Sequence, residues 1–555
     1  MPAAATLACS PDDLSAVAKL VGAAAAADVC AAVDVAAAGS PLAAVLRHLT
    51  AASAAAKPAA AAAAAEQAHS TDVVFILFSG YLVFLMQPCC DPAHSSAALD
   101  LPLFAAPIHT SVGHVATRIC VPNAMTKHQA GFACLCAGHV RVKNAGNILM
   151  KNVVDCSVGT LAWYLLGNGF AFGQSNGRAN PFIGTGNFAL NSVSFTGVDG
   201  EGYPQFFFHW AFSAAATTIV SGAVAERISF GTYMLYSCFM SSLVYPVVAH
   251  WLWTQWGWLS PLAAAPLFGS GAIDFAGGVV VHTVGGAASL IGVYFCGPRV
   301  GRFGIDGSPC RGYRENNSNL IVLGTFLLWF GWYGFNPGSA LAVSTYSTAA
   351  LVARTAVTTT IGAGTGGLSA MLIVYALTKK YDVMALCNGV LCGLVAVTPG
   401  CGVIDPWAAV IVAVLAAGTF IAVDHLMLKL RLDDVVSAVP MHLGCGALGT
   451  LCVGFFARQQ YVEEVYGAPG PAVGRRWGVF FGGDGRLLAC QVVALLSALC
   501  WVSALLVPYF WVARRLNVVR VPVEQEISGL DASKYGVLTT NELPTKPRTK
   551  RAGYV

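Results

Sequence analysis

Long apolar segments alternate with short polar ones between about residue 71 and residue 513. A helix of about 20 apolar residues is long enough to cross a bilayer core. The pattern therefore predicts an all-α membrane protein with eleven transmembrane helices, of which the first is interrupted and the eighth is short and rich in glycine. The predicted spans are 71–88 continued by 129–141, 148–170, 204–226, 231–254, 273–296, 319–337, 345–378, 384–401, 405–429, 435–457 and 488–513.

The composition agrees with a membrane location. Hydrophobic residues make up 56% of the 555 residues and charged residues only 10%, whereas soluble domains carry about 25% charged residues. The net charge of +4 is too small to indicate a nucleic-acid partner. The 18 cysteines are scattered, mostly inside apolar runs and without metal-ligand spacing, so they are interpreted as small core residues.

The loops between the predicted spans differ in their lysine and arginine content. Basic residues follow spans one, three, five, seven and nine and the last span, whereas most of the other loops have few. Because basic loops face the cytoplasm, the N-terminus is predicted outside and the C-terminus in the cytoplasm. The exceptions are Arg475, Arg476 and Arg486, which precede the last span on its outer side.

Three regions are predicted along the chain. Residues 1–70 form an Ala-rich, low-complexity extension without the compact basic start and apolar core of a signal peptide; a transit peptide is the alternative. Residues 71–513 form the membrane domain, and residues 514–555 form a cytoplasmic regulatory tail.

The first span is interrupted by an atypical insertion at 88–129, which contains prolines and histidines and has no clear period. Without this stretch its flanks would join as one continuous apolar helix. We interpret it as an inserted segment, for example an intron retained in the gene model. Continuous coding sequence through this stretch in the mature transcript would refute the intron hypothesis.

Two histidines lie in apolar segments with the same surroundings. An aspartate precedes His282 and His442 by eight residues, and a glycine follows each by four. Eight residues of helix span about 12 Å, so each aspartate can lie at the membrane edge while its histidine lies near the midplane. Spans five and ten run in opposite directions, as expected for two inverted five-helix repeats followed by a final helix, and such repeats place their site at the midplane.

Several roles for these histidines remain open. Either could be a core residue that hydrogen-bonds between helices. An imidazole pair could instead relay a proton or hold a small hydrogen-bonding solute. No third His, Cys or Glu has suitable spacing to both, so no metal site and no cofactor are expected.

The chain resembles the ammonium transporter family of Amt, Mep and Rhesus proteins, and is most similar to its plant and algal branch. The resemblance covers most of residues 71–90 and 130–536. It is carried by GFACLCAGHVRVKNAGNILMKN, FFFHWAFSAAATTIVSGAVAERISF, YPVVAHWLW, GAIDFAGGVVVH, FLLWFGWYGFNPGS and GLDASKYG. It implies eleven helices, a pore in each subunit, a homotrimer and no enzymatic activity.

The resemblance also implies roles for individual residues. His282 and His442 match the twin pore histidines, and Phe212 and Phe335 match the stacked phenylalanine gate. The ammonium recruitment site, the aspartate that supports it and a pore-lining tryptophan have the following counterparts: Trp253 and Ser339 with Phe212, Asp274, and Trp332. An aromatic cup attracts ammonium by cation–π contact, and Ser339 can accept one of its hydrogen bonds.

Three positions depart from the family pattern. Ser437 replaces a second aspartate before the second histidine, and Tyr535 replaces a histidine in the tail motif. Ser533 occupies the place of a regulatory threonine. We hypothesise that a kinase phosphorylates Ser533 and thereby displaces the tail from neighbouring subunits and closes the pores; the alternative is an ordinary exposed serine.

The predicted function is ammonium transport across the plasma membrane, with the chloroplast envelope or another organelle membrane as the alternative location. Ammonium would be recruited outside and deprotonated, and ammonia would pass the histidines, with or without a proton relayed separately. The alternatives are an ammonium sensor that signals through its tail and a Rhesus-type gas channel. The AERISF stretch and the Cys-rich LCAG region favour the plant-like branch over the Rhesus type.

Overall fold

The computed structural model of the chain describes residues 64–86, 131–174, 180–191, 202–310, 313, 315–467 and 476–535. Two compact units, Met1–Asp72 and Val73–Val555, make up the chain. Most of the predicted Ala-rich extension, the insertion at 88–129 and the end of the tail lie outside the described residues.

The described regular structure is helical apart from two isolated bridges, Ile228 with Arg520 and Phe303 with Pro309. The helices that span or approach the apolar core are α1 Ala64–Leu85, α2 Gly131–His139, α3 145–172, α4 Gly202–Ala223, α5 Phe230–Trp253, α6 Gly278–Cys296, α7 Ser318–Phe335, α8 Tyr346–Thr378, α9 Val383–Val397, α10 Pro406–Lys429 and α11 Val439–Phe456. They are followed by α12 Gln459–Tyr466, α13 Arg486–Arg515, α14 Val523–Ser528 and α15 Leu530–Tyr535.

Eight of the described helices are long and apolar enough to cross a membrane: α1, α5, α6, α7 extended to Ala340, α8, α10, α11 and α13. Helix α9 has only 15 residues and corresponds to the glycine-rich eighth span. The chain is therefore an all-helical membrane protein over the residues that the structure describes.

The two parts of the interrupted first span meet in the structure. The backbone N–H of Phe132 in α2 donates to the carbonyl of Met86, at 2.9 Å, directly after the end of α1. This is a helix-like hydrogen bond between residues 46 positions apart in the sequence. Helix α1 begins at Ala64 rather than at residue 71, because the alanines and Glu66 before the apolar run are good helix formers.

Buried ion pairs connect the ends of α4, α6 and α10, and we call these residues the interhelix ion network. The network consists of Arg141, Glu226, Arg299, Arg302 and Asp433. Asp433 accepts hydrogen bonds from the backbone N–H and the guanidinium of Arg299 and from Arg302, at 2.8–3.1 Å. Burial alone would raise the pKa of Asp433, but these bonds and the nearby guanidinium charges outweigh it and hold the pKa well below its usual range.

The C-terminal segment packs against the same end of the helix bundle. The Asp531 carboxylate accepts the backbone N–H groups of Gly146 and Asn147, at 2.9 and 2.6 Å, at the start of α3. Glu526 accepts the backbone N–H of Val300 at 2.7 Å. Asp531 thus satisfies two N–H groups of a first helical turn, which have no partner within the helix, and Glu526 binds the loop after α6. The segment from α14 to α15 is therefore docked on the helix bundle.

Candidate functional site

Helices α6 and α11 both begin with a wide, π-helical turn that carries a histidine. The turns are Gly278–Thr283, with His282, and Val439–Gly444, with His442. The two oxygens of Asp274 accept the four N–H groups of residues 277–280, at 2.6–3.0 Å. In α11, Asp434 accepts the N–H of Val439 at 2.7 Å. The aspartates eight residues before the histidines thus start the two helices.

The two histidines meet in the core. The Nδ1 atoms of His282 and His442 are 3.1 Å apart, the rings are stacked with an angle of 19° between them, and the side chains are almost fully buried. Because one nitrogen must donate and the other must accept at this distance, the pair shares one proton between these two atoms. The Nε2 of His282 is buried and has no hydrogen-bond partner among the described residues.

Two glycines allow this close approach. A Cβ at Gly286 would lie 2.3 Å from the backbone nitrogen of Leu443, and a Cβ at Gly446 would lie 3.2 Å from the Cβ of His282. Each glycine follows the histidine of its own helix by four residues and faces the turn of the other helix. The glycine spacing seen in the sequence therefore has a packing reason, since a side chain at either position would push α6 and α11 apart.

Aromatic side chains cover one side of the histidine pair. Phe212 of α4 and Phe335 of α7 stack with ring centroids 4.0 Å apart. Trp332 and Phe335 lie against His282, at 5.4 and 5.5 Å between centroids. All three aromatic side chains are buried, so they give the His282 side of the imidazole pair an apolar surrounding.

The residues matched to the recruitment site contact the phenylalanine pair, Trp253 at the ring of Phe212 and Ser339 at the backbone of Phe335. Trp253 meets Phe212 edge to face, at 5.8 Å between centroids. Its indole N–H donates to the backbone carbonyl of Asp274 at 2.7 Å, so Asp274 holds both this tryptophan and the start of α6. The half-buried Ser339 donates to the Phe335 carbonyl at 2.8 Å, which leaves its hydroxyl oxygen free to accept.

Ser437, which departs from the family pattern, contacts the start of α11 through its backbone, because its carbonyl accepts the N–H of Met441 at 3.2 Å. It has a left-handed backbone conformation with φ of 53°, and its hydroxyl donates to Asp424 of α10 at 2.8 Å. Ser533 lies exposed in α15, where its hydroxyl donates to the Gly529 carbonyl at 2.8 Å. The side chain of Tyr535 lies outside the described residues.

The structure adds two residues that the sequence did not single out. The Thr398 hydroxyl accepts the indole N–H of Trp332 at 3.0 Å. His209 of α4 packs beside Trp253, at 5.7 Å between ring centroids. A signal for His209 was present, because it is an ionisable residue within an apolar run, but no matched partner elsewhere in the sequence draws attention to it.

The side chains of the site determine which kinds of chemistry it can support. Within the described residues no group of three or more His, Cys, Asp or Glu side chains is arranged to hold a metal ion. The buried imidazoles can exchange a proton with each other and can hydrogen-bond a small solute. Fold and site together define a polytopic helical membrane protein with a pair of ionisable side chains where two helices cross.

Comparison with known proteins specifies the family. A model of the Ammonium Transporter Family matches residues 118–540. Ammonium transporter 1 member 3 of Solanum lycopersicum is 42% identical over 474 residues, covering 84% of this chain and 92% of that protein. Ammonium transporter 1 member 1 of Oryza sativa subsp. japonica is 45% identical over 412 residues, covering 72% and 80%. The chain belongs to the Ammonium Transporter Family.

A solved structure described as a sensor Amt protein has a similar fold. It aligns with a TM-score of 0.68 and 29% identity, covering 84% of this chain and 99% of that protein. The resemblance to the ammonium transporter family is confirmed. The family consists of membrane transporters rather than enzymes, in agreement with the expectation from the sequence.

Proposed function

We propose that this protein transports ammonium nitrogen across a membrane through the passage that contains His282 and His442. The observation that carries the proposal is the 3.1 Å contact between the two imidazoles, buried behind the stacked Phe212 and Phe335. Membership of the Ammonium Transporter Family and the printed names of the plant relatives support ammonium as the solute.

Selection would begin in the cup formed by Trp253, Phe212 and Ser339. A cation–π contact between an aromatic ring and ammonium contributes about 0.5–2 kcal/mol to binding. The lone pairs of the Ser339 hydroxyl would accept one N–H of the ammonium ion. Ammonium would lose its proton before passing the phenylalanines, because a charge is costly in the apolar surroundings of the histidine pair. Potassium has no proton to lose and would be excluded at this step.

The imidazole pair would then hold ammonia and pass a proton. The nitrogen that donates within the pair and the one that accepts can exchange roles when a proton arrives at one ring and leaves from the other. Trp332, stacked on His282, would keep the first ring in line with the second. Transport of ammonia alone would use the same contacts without this exchange.

The detailed topology is part of the proposal. We place eleven helices across the membrane in two inverted five-helix repeats and a final helix, with the N-terminus outside and the C-terminus in the cytoplasm. The matched start of α6 and α11, each with an aspartate eight residues before a histidine, supports the repeats. A homotrimer in the plasma membrane, contacted by a kinase at its tail, follows from the family resemblance.

The domain division is also proposed on this basis. Residues 71–513 are the membrane domain, 1–70 an extension and 514–555 a regulatory tail. The hydrogen bond between Phe132 and Met86 supports the interpretation of 88–129 as an insertion, because it joins the residues that flank it.

The test of the function is ammonium flux into proteoliposomes, recorded together with current. We expect His282→Ala and His442→Ala each to lower the flux at least tenfold, while His425→Ala, at an exposed position of α10, leaves it unchanged. If both pore variants carried wild-type flux, the role of the pair would be refuted. The charge carried per ammonium distinguishes transport with a relayed proton, which moves one net charge, from transport of ammonia alone, which moves none. Only the first mode is driven by the membrane potential, at about 2.3 kcal/mol per charge per 100 mV.

A sensor that binds ammonium in the outer cup is the second candidate. Sensing does not need a pair of imidazoles behind the phenylalanines, and the buried contact of His282 with His442 therefore favours transport.

A further inference from the structure

We infer that His209 is an additional ammonium-binding residue in the outer cup, where it accepts a hydrogen bond from the cation. The inference rests on the proposed function and extends the recruitment site beyond Trp253, Phe212 and Ser339. His209 is only 6% exposed, and its Nδ1 atom is buried without a hydrogen-bond partner among the described residues.

A buried polar atom without a hydrogen-bond partner destabilises the folded protein, and such atoms usually have a functional role or a missing ligand. The neighbouring buried histidine behaves differently. The ring nitrogens of His250 lie 2.8 and 2.7 Å from the backbone carbonyls of Ala171 and Asn180, so His250 has structural partners. The described ring contacts of His209 are with aromatic side chains, and none of them supplies a partner for its Nδ1 among the described residues.

Three aromatic rings fix the orientation of His209. Its ring centroid lies 4.2 Å from Phe172, 5.5 Å from Phe208 and 5.7 Å from Trp253. Because it precedes Phe212 by three residues on α4, both side chains lie on the same face of the helix. The imidazole is therefore held at the edge of the cup, next to the tryptophan and one turn from the outer phenylalanine.

The residues already assigned to the cup supply fewer hydrogen-bond acceptors than ammonium has N–H groups. Ammonium donates four hydrogen bonds, but among Trp253, Phe212 and Ser339 only the serine supplies an oxygen to accept one. The indole N–H of Trp253 is occupied by the carbonyl of Asp274, and it is a donor that could not bind a cation in any case. A neutral imidazole has one nitrogen lone pair, which accepts an N–H of ammonium in a fixed direction.

This acceptor also bears on selectivity. The directed lone pair of the imidazole binds a cation that can donate an N–H, which potassium cannot do. Replacing one N–H by a methyl group removes a donor and adds bulk beside Phe172 and Trp253. His209 should therefore strengthen the binding of ammonium more than that of potassium or methylammonium.

The experiment measures initial rates of ammonium uptake against concentration, with membrane abundance measured in parallel. His209→Phe keeps a ring against Phe172 and Trp253 but removes both nitrogens, and His209→Leu is a second apolar variant in case the first does not fold. His209→Gln restores an acceptor without a ring. His425→Phe, at an exposed position, is the matched histidine-to-phenylalanine control.

We expect the KM for ammonium to rise about tenfold in His209→Phe, which corresponds to about 1.4 kcal/mol, with the maximal rate within about twofold of wild type. His209→Gln should recover most of the affinity, and the apolar variants should discriminate less between ammonium and methylammonium. A purely structural His209 would lower abundance or maximal rate and would not be rescued by glutamine.

An unchanged KM in the apolar variants, with normal wild-type uptake, would overturn this inference and leave the proposed function intact. A wild-type protein without ammonium flux would instead refute the proposed function itself. A KM in His209→Gln as high as in His209→Phe would also count against an acceptor role.

Discussion

At the scale of single residues, the candidate site depends on a few side chains that hold others in place. Trp332 lies flat against His282, with an angle of 17° between the rings. The only described hydrogen bond of its indole N–H is to Thr398, which is fully buried. Thr398 in turn donates to the Leu394 carbonyl at 2.8 Å, so its lone pairs face the tryptophan. We conclude that Thr398 positions Trp332.

Replacement of Thr398 tests this positioning. Thr398→Val keeps the shape but leaves the buried indole N–H without an acceptor, which costs about 1–3 kcal/mol. We expect a lower unfolding temperature in detergent and a several-fold lower ammonium uptake, whereas Thr398→Ser should behave like wild type. In a Trp332→Phe background the effect of Thr398→Val should disappear. Equal behaviour of the valine and serine variants would contradict the assignment.

At the scale of secondary-structure elements, hydrogen bonds and ion pairs of buried aspartates determine where helices begin and how their ends are joined. Asp274 starts α6 by accepting four N–H groups. In the interhelix ion network, Asp433 joins the loop before α11 to Arg299 directly after α6. The Asp433 side chain is fully buried, and that of Arg299 is 5% exposed. Since buried charges need partners, this contact fixes the spacing of the two helices that carry the histidines.

Removal of the Asp433 charge should weaken this connection. Asp433→Asn removes one of the two carboxylates that pair with the buried Arg299, the other being Glu226, and it removes the carboxylate that pairs with the half-buried Arg302. Breaking a buried ion pair completely costs about 3–5 kcal/mol, and the remaining contact with Glu226 keeps the cost below that range. We expect a clear fall in unfolding temperature, measured in detergent by intrinsic fluorescence. Asp306→Asn, at an exposed loop aspartate whose oxygens contact only Ser308 among the described hydrogen bonds, is the control and should unfold like wild type.

The difference in unfolding temperature between wild type and Asp433→Asn should depend on pH in a direction set by the pKa of Asp433. Because the folded-state pKa of Asp433 lies below the usual value of about 3.9, its contribution is fully present above that value and is lost as the pH falls through the folded pKa. The difference in unfolding temperature between wild type and Asp433→Asn should therefore be the same at pH 7 and pH 5. A difference that shrinks between these values would show that Asp433 titrates there.

At the scale of the whole molecule, the segment from α14 to α15 is docked on the helix bundle. Asp531 accepts two backbone N–H groups at the start of α3, and Leu530 donates to the Asn144 side chain at 2.9 Å. Ser533 lies two residues after Asp531 and is exposed. A phosphate there would add up to two negative charges beside a carboxylate and would remove the donor that binds the Gly529 carbonyl.

We expect Ser533→Asp to lower ammonium uptake in cells several-fold, because like charges weaken the docking of α15, while Ser533→Ala retains uptake. If subunits of a trimer close together, co-expression of Ser533→Asp with wild type should lower uptake more than in proportion to its share. Uptake by Ser533→Asp equal to that of Ser533→Ala, at equal membrane abundance, would rule out this regulation.

Much of the fold and part of the site could be predicted from the sequence because the relevant signals are local. Apolar runs of about 20 residues identify membrane helices, and the observed helices coincide with the predicted spans within several residues at most ends. The aspartate, histidine and glycine spacings of α6 and α11 repeat in the sequence. Family motifs carried the assignment of Phe212, Phe335 and Trp253, whose roles stay predictions.

The sequence by itself determined the class of the protein, its family and which residues are candidates for the pore, because hydropathy and motif spacing do not depend on long-range contacts. Only the tertiary structure decided which side chains touch. It brought residues 160 positions apart into the His282–His442 contact and paired Trp332 with Thr398. It also placed His209 beside Trp253, with its Nδ1 lacking a hydrogen-bond partner within the part of the chain that is described. These contacts depend on how helices distant in sequence pack, and no local pattern encodes that packing.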